Sequence, residues 1–274
     1  MEKNIVLTAD SGSTKTEWLL TSNGRTILRL QTTGLNPIVM GLSLMRKHLE
    51  EELIPQIPGE MVVREVHFFG AGCTPQQCPL VAEMLTELFP QAVHVEVDSD
   101  LVGAAKSLLD ADEGLVAILG TGASSCLWDG ERISQRIPAL GFILGDEGSG
   151  AVLGKLFING IMKGTLPRDI RDLFLAEYSL SETDIINKVY KGDAPNKFLA
   201  SCSPFIYNNL QRKELRDLVI RNFRDFFQKN IKPYGRADLP VNFIGSMAFC
   251  YEDQLREAAL QEGFLVGVIK QKPL

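Results

Sequence analysis

The chain opens on an apolar run, Ile5 to Ala9, that meets an acid at Asp10 and breaks into a cluster of glycine and hydroxyl residues before alternation resumes at Glu17. Strands are predicted over Ile5–Ala9, Glu17–Thr21 and Thr26–Leu30, the last two joined by the hairpin-forming pair Asn23-Gly24. The result is a β-meander with Asp10 to Lys15 at its first corner. The same order of events returns about 110 residues later, in GLVAILGTGASSCLWDGERI, with a Gly120-Thr121-Gly122 corner and an Asp129-Gly130 turn. Such a recurrence predicts a duplicated domain.

Between the copies, helical spacing of apolar residues predicts helices over Leu42–Leu53, Leu80–Leu88 and from Leu101 through Leu109, with strands at Val66–Phe69 and Ala92–Val97. A meander followed by alternating strands and helices describes an α/β fold, with a boundary near Asp112 dividing residues 1–112 from 113–274. From Gly150 to about Asn230 the pattern is mainly helical. LPVNFIGSMA then reads as a buried strand ending in glycine, and YEDQLREAALQEG as a helix.

Composition narrows the partners. With 45% hydrophobic and 23% charged residues in 274, the chain can bury a sizeable core. A net charge of −6 argues against nucleic acid, which demands clustered Lys and Arg. No basic amphipathic stretch suggests a membrane surface, and no apolar run reaches the roughly 18 residues of a spanning helix. The N-terminal apolar run is too short for a signal peptide, so a soluble, cytoplasmic protein with a small-molecule partner is expected. Cys73, Cys78, Cys126, Cys202 and Cys250 form no CxxC pair and read as free thiols, so a zinc or iron–sulfur site is disfavoured.

The two corners carry the candidate chemistry. At the first, Gly12 permits a turn that exposes backbone N–H groups, Ser13 and Thr14 add hydroxyls, and Lys15 adds a positive charge, all suited to phosphate oxygens. Asp10, at a strand end, can hold magnesium through water. A solvated hairpin corner is the plainer reading of this stretch alone. The Walker A pattern GxxxxGK[ST] is absent, so a nucleotide here needs a different fold. Gly120, Thr121 and Gly122 repeat the device, with close backbone approach and a hydroxyl.

In sequence order, DSGSTKT, Ala71-Gly72-Cys73, Asp100 at a helix start, ILGTGASS, GDEGSG and IGSM resemble the BadF/BcrA-type ATPases and, within them, the N-acetylglucosamine kinases. The resemblance covers nearly the whole chain. It implies two ribonuclease-H-like (actin-like ATPase) domains with a nucleotide cleft between them, ATP and Mg2+ as cofactors, and transfer of phosphate to a sugar hydroxyl, most readily of an amino sugar such as N-acetylglucosamine. Asp10, Gly12, Ser13, Thr14 and Lys15 fall on the family's first phosphate motif, Gly120, Thr121 and Gly122 on the second, and Gly245 and Ser246 on the adenosine motif. Asp100 is implied as the base that takes the hydroxyl proton. Asp98 is the other candidate, but Gly103 gives Asp100 the family's DxxG spacing; either acid could instead cap a helix. Asn36, Gly141 and Asp146 fall on sugar-contacting positions, although Asn36 also suits a turn before Pro37, and Asp146 or Glu147 a helix N-terminus.

Two departures stand out. Ala139-Leu140-Gly141 keeps only the last residue of the family's Gly-Trp-Gly, so the sugar pocket is expected to differ. The chain stops at Leu274, where relatives continue with a strand and a glycine-rich helix, so the closing element is expected to be reduced or missing from the sequence. An ATP-driven activator or a nucleotide sensor of the same type is the alternative function, and a homodimer is one admissible assembly.

Overall fold

A computed structural model describes residues 3–12 and 14–273. They form two compact units, 3–107 with Pro273, and 108–272. The units part inside the last turns of a helix; the sequence reading put the boundary near Asp112.

In the first unit, β1 (Lys3–Ser11), β2 (Lys15–Ser22) and β3 (Arg25–Thr33) make the expected meander. Next come α1 (Pro37–Met40) and α2 (Leu42–His48), the latter extended by a π-helical turn over Leu49–Leu53. β4 (Met61–Gly70), α3 (Cys78–Leu88), β5 (His94–Ser99) and α4 (Asp100–Leu109) complete the unit. Strand order is β3-β2-β1-β4-β5, with β1, β4 and β5 parallel and the meander antiparallel.

Period two decides which face each residue serves. Ile5, Leu7 and Ala9 of β1 are fully buried with Trp18, Leu20, Val66 and Phe68, and pack in one cluster with Met45, Leu49, Val81 and Leu85 from the helices. Each such large apolar side chain contributes about 1.5–3 kcal/mol through burial. The Trp18 indole N–H keeps its hydrogen bond, donating to the Thr32 hydroxyl at 2.9 Å. On the opposite face Gly103 of α4 meets Phe69, where a Cβ would lie 2.7 Å from the Phe69 Cβ. The DxxG spacing thus has a structural cause: only glycine lets α4 lie this close to the sheet.

The second unit repeats the topology with β6 (Gly114–Leu119), β7 (Ala123–Trp128) and β8 (Ile133–Ile137). A short α5 (Gly141–Leu144) leads to α6 (Gly150–Lys163), α7 (Arg168–Glu177), α8 (Glu182–Tyr190), α9 (Pro195–Ala200), α10 (Ser203–Asn208) and α11 (Lys213–Phe226). Then follow β9 (Val241–Ile244), α12 (Ser246–Cys250), α13 (Glu252–Gln261) and β10 (Val266–Lys270). The order β10-β9-β6-β7-β8, with β6, β9 and β10 parallel, matches the first sheet strand for strand. A strand, β10, therefore follows the last helix, at a place where the sequence reading predicted none. It is fastened by buried Asn242, whose Oδ1 accepts from Val268 N at 2.9 Å and whose amide donates to Leu115 O.

Candidate functional site

In the first unit the candidate residues gather at the carboxyl ends of the parallel strands, where open α/β sheets bind ligands. Asp10, Phe69 and Asp98 are level across β1, β4 and β5, and Asp100 opens α4 just beyond. Asp10 also lines a hollow with Phe69, Gly103 and Lys106.

The first corner is closed by Gly12 N donating to Lys15 O at 3.0 Å. That N–H is therefore committed to the turn, whereas the sequence reading left it open for phosphate. Ser11 and Thr16, both fully buried, face each other with hydroxyls 2.7 Å apart, and Leu35 N donates to them at 3.0 and 3.2 Å. Gly34 N adds a bond to Thr14 O at 3.2 Å. This lock, which the sequence reading missed, ties the chain after β3 to the corner and delivers Asn36 beside it. Thr14 is exposed, with no hydrogen bond from its hydroxyl among the described residues. Lys15 pairs with Glu17 at 2.6 Å, and Glu17 stands opposite Asp10 on the neighbouring strand. Two carboxylates and one ammonium therefore share the corner. Ser13 lies outside the described residues.

Asn36 is the N-cap of α1, its Oδ1 accepting from Ile38 N at 3.0 Å and Val39 N at 3.3 Å. The cap fixes the side chain and leaves the Nδ2 donors to other partners. Gly72, with φ of 83°, packs so closely that a Cβ would lie 2.1 Å from Asn36 Oδ1. The Ala-Gly-Cys motif thereby serves Asn36. Burial, and after it the neighbouring Cys78, Asp100 and Asp98, pushes the Cys73 thiol up to about 12, so it is inert near neutral pH.

In the second unit Gly120 N donates to Gly122 O at 2.9 Å to close the other corner. Gly150 N and Ala151 N, at the start of α6, donate to Gly120 O and Thr121 O, so the corner sits on the helix N-terminus. The Thr121 hydroxyl has no hydrogen-bond partner among the described residues. Asp146 holds a left-handed backbone, φ 55°, and turns its carboxylate onto this corner, where a Cβ on Gly122 would come 3.1 Å from Oδ2. Ala123 N–H donates to it, yet burial pushes its pKa up to about 6, with Glu147 adding to the rise and Lys155 opposing it. Glu147 turns away to Lys229 at 3.0 Å and Asn230 at 3.2 Å.

Leu140 and Gly141, with φ of 65° and 72°, form the tip of the loop before Asp146, and Lys155 Nζ pins it through Phe142 O at 2.7 Å. Gly245, with φ of 120°, follows β9 so tightly that a Cβ would lie 2.3 Å from Leu119 O, placing it beside the second corner. Ser246 next to it is exposed. Each unit thus collects its own sequence-predicted residues at one end of its sheet.

No family model matches the chain. A Porphyromonas gingivalis structure, described as a proposed N-acetylglucosamine kinase, is 43% identical, with 98% of this chain and 95% of that one covered and a TM-score of 0.95. The N-acetyl-D-glucosamine kinase of Dictyostelium discoideum is 26% identical over 242 residues, 80% of this chain and 76% of that protein. A ROK-family glucokinase from Streptomyces griseus, solved with glucose and AMPPNP, is 12% identical with a TM-score of 0.57 over 97% of this chain and 93% of that one, a likeness of fold.

Proposed function

The chain belongs to the N-acetylglucosamine kinase family, and from that premise we propose that it transfers the γ-phosphoryl group of ATP to a hydroxyl of an amino sugar, N-acetylglucosamine first among them. The observation that carries the reading is the convergence, at one end of the first sheet, of the Asp10 corner, the cap-fixed Asn36 and Asp100 at the head of α4.

Asn36 Nδ2 and the Asp146 carboxylate offer a donor and an acceptor to sugar hydroxyls, with Gly141 shaping the loop beside Asp146. Asp100 orients the attacking hydroxyl and accepts its proton as the sugar oxygen bonds to the γ-phosphorus and the bond to the bridging oxygen of ADP breaks. Phosphate oxygens take hydroxyl donors from Thr14 and Thr121 and charge from Lys15. Gly120, with open space where a Cβ would stand, leaves room for close backbone approach, and Gly122, Gly245 and Ser246 complete the nucleotide end of the second unit. The paired carboxylates at Asp10 and Glu17 suit a hard, water-coordinated cation, and Asp10 would hold Mg2+ whose charge offsets that of the phosphates.

ADP release with Mg-ATP, measured against N-acetylglucosamine, N-acetylmannosamine, glucosamine, glucose and no sugar, tests the reading. Stimulation by an amino sugar is expected, and Asp100→Asn should abolish transfer while ATP still binds. ADP release that no sugar changes would overturn it.

A further inference from the structure

Only three histidines occur in the chain, and two of them, His67 and His94, meet on one face of the first sheet with ring centroids 5.5 Å apart. The parallel register of β4 and β5 explains the meeting. Glu65 pairs with His94 and His67 with Glu96, so four residues capable of binding metal occupy two alternate rungs, on the same face by period two. The next rung on this face is Phe69 with Asp98, level with Asp10.

We propose that His67, His94 and Glu96 form a binding site for a divalent transition metal of the zinc class. Their ligand atoms all lie within 4.8 Å of one another. His67 Nδ1 and Glu96 Oε2 are 2.7 Å apart. Two ligands at about 2.0–2.1 Å from a tetrahedral zinc sit roughly 3.3 Å apart, so entry of the ion needs only a small spreading and displaces the proton between them.

The surroundings are those of a supported site. With Nδ1 on the metal, the His67 proton moves to Nε2, which faces Glu65 Oε2 at 3.5 Å, the carboxylate–histidine arrangement that orients ligands around zinc. Lys106 contacts the other oxygen of Glu96 and leaves Oε2 to the ion. Nitrogen-rich ligands select zinc-class ions over Mg2+, which prefers oxygen and water.

Zn2+ titrated calorimetrically into the metal-stripped full chain should bind once per molecule, with Mg2+ giving no heat at this site. His94→Gln, at an exposed position, should weaken zinc at least tenfold, and Glu65→Gln by about 10–100-fold, the usual effect of losing a carboxylate behind a ligand. Co2+ should give d–d absorption without thiolate charge transfer. Zinc binding that survives both His67→Gln and His94→Gln, thiolate bands with Co2+, or no binding to the folded parent chain would each overturn the proposal.

Discussion

Asp146 combines a left-handed backbone with a partly buried carboxyl, and each has a consequence that can be measured. Well below pH 3.8 the residue is protonated folded or unfolded and charge costs nothing. As pH rises the unfolded chain ionises first, near 3.8, and the folded chain only near 6, so stability falls across that window and stays lower above it. Asparagine keeps the size, keeps an acceptor for Ala123 N–H and tolerates the left-handed region. Asp146→Asn should therefore leave the melting temperature almost unchanged at about pH 3 and raise it by roughly 2–4 °C at pH 7, the shift that about 1 kcal/mol produces in a domain of this size. The KM for the sugar should rise at the same time, because a neutral amide is a weaker acceptor for hydroxyls. Melts at both pH values and a KM measurement decide it; a variant destabilised at pH 7 would mean that the negative charge is compensated in the fold.

Elements translate such residues into position, and α4 is the clearest instance. Its first residue is Asp100, and Gly103 one turn later touches Phe69 through a gap that admits no Cβ. Gly103→Ala must lift the helix or displace the ring, at about 1–3 kcal/mol for overpacking. The helix moves with its head, so kcat should fall by more than tenfold while the KM for ATP changes little. A variant with lowered melting temperature and unaltered kcat would show that Asp100 does not depend on this contact. The sequence revealed the DxxG spacing but not its reason, which depends on Phe69 lying under the helix. The glycine and hydroxyl corners were legible because their residue types state a turn directly. The Ser11, Thr16 and Leu35 lock was not, since it depends on β1 and β2 register and on where the chain returns after β3. The same limit hid the histidine pair, which sequence separates and parallel pairing of β4 with β5 unites. β10 escaped notice because Gly267 interrupts a short strand; the glycine is needed where a Cβ would lie 2.4 Å from Asn242 Oδ1.

At the scale of the molecule, one plan is used twice. Both sheets run in the same order, both place a glycine-closed hairpin corner at the end of the central parallel strand, and both follow the next parallel strand with a close glycine, Gly72 in one and Gly245 in the other. The copies have diverged in what surrounds the corner. In the first it is carboxylates and Asn36, and in the second it is the head of α6 and Asp146. If the proposed roles hold, ligands should leave separate footprints in amide exchange. A non-hydrolysable ATP analogue should slow exchange at 14–16, 120–123 and 245–247, whereas N-acetylglucosamine alone should act at 34–41, 98–103 and 139–147. Asn36 and Asp146 belong to different units, so each unit carries its own segments of the predicted sugar footprint. Protection confined to one unit when sugar is added would break that assignment, and would place sugar recognition wholly within the copy that responds.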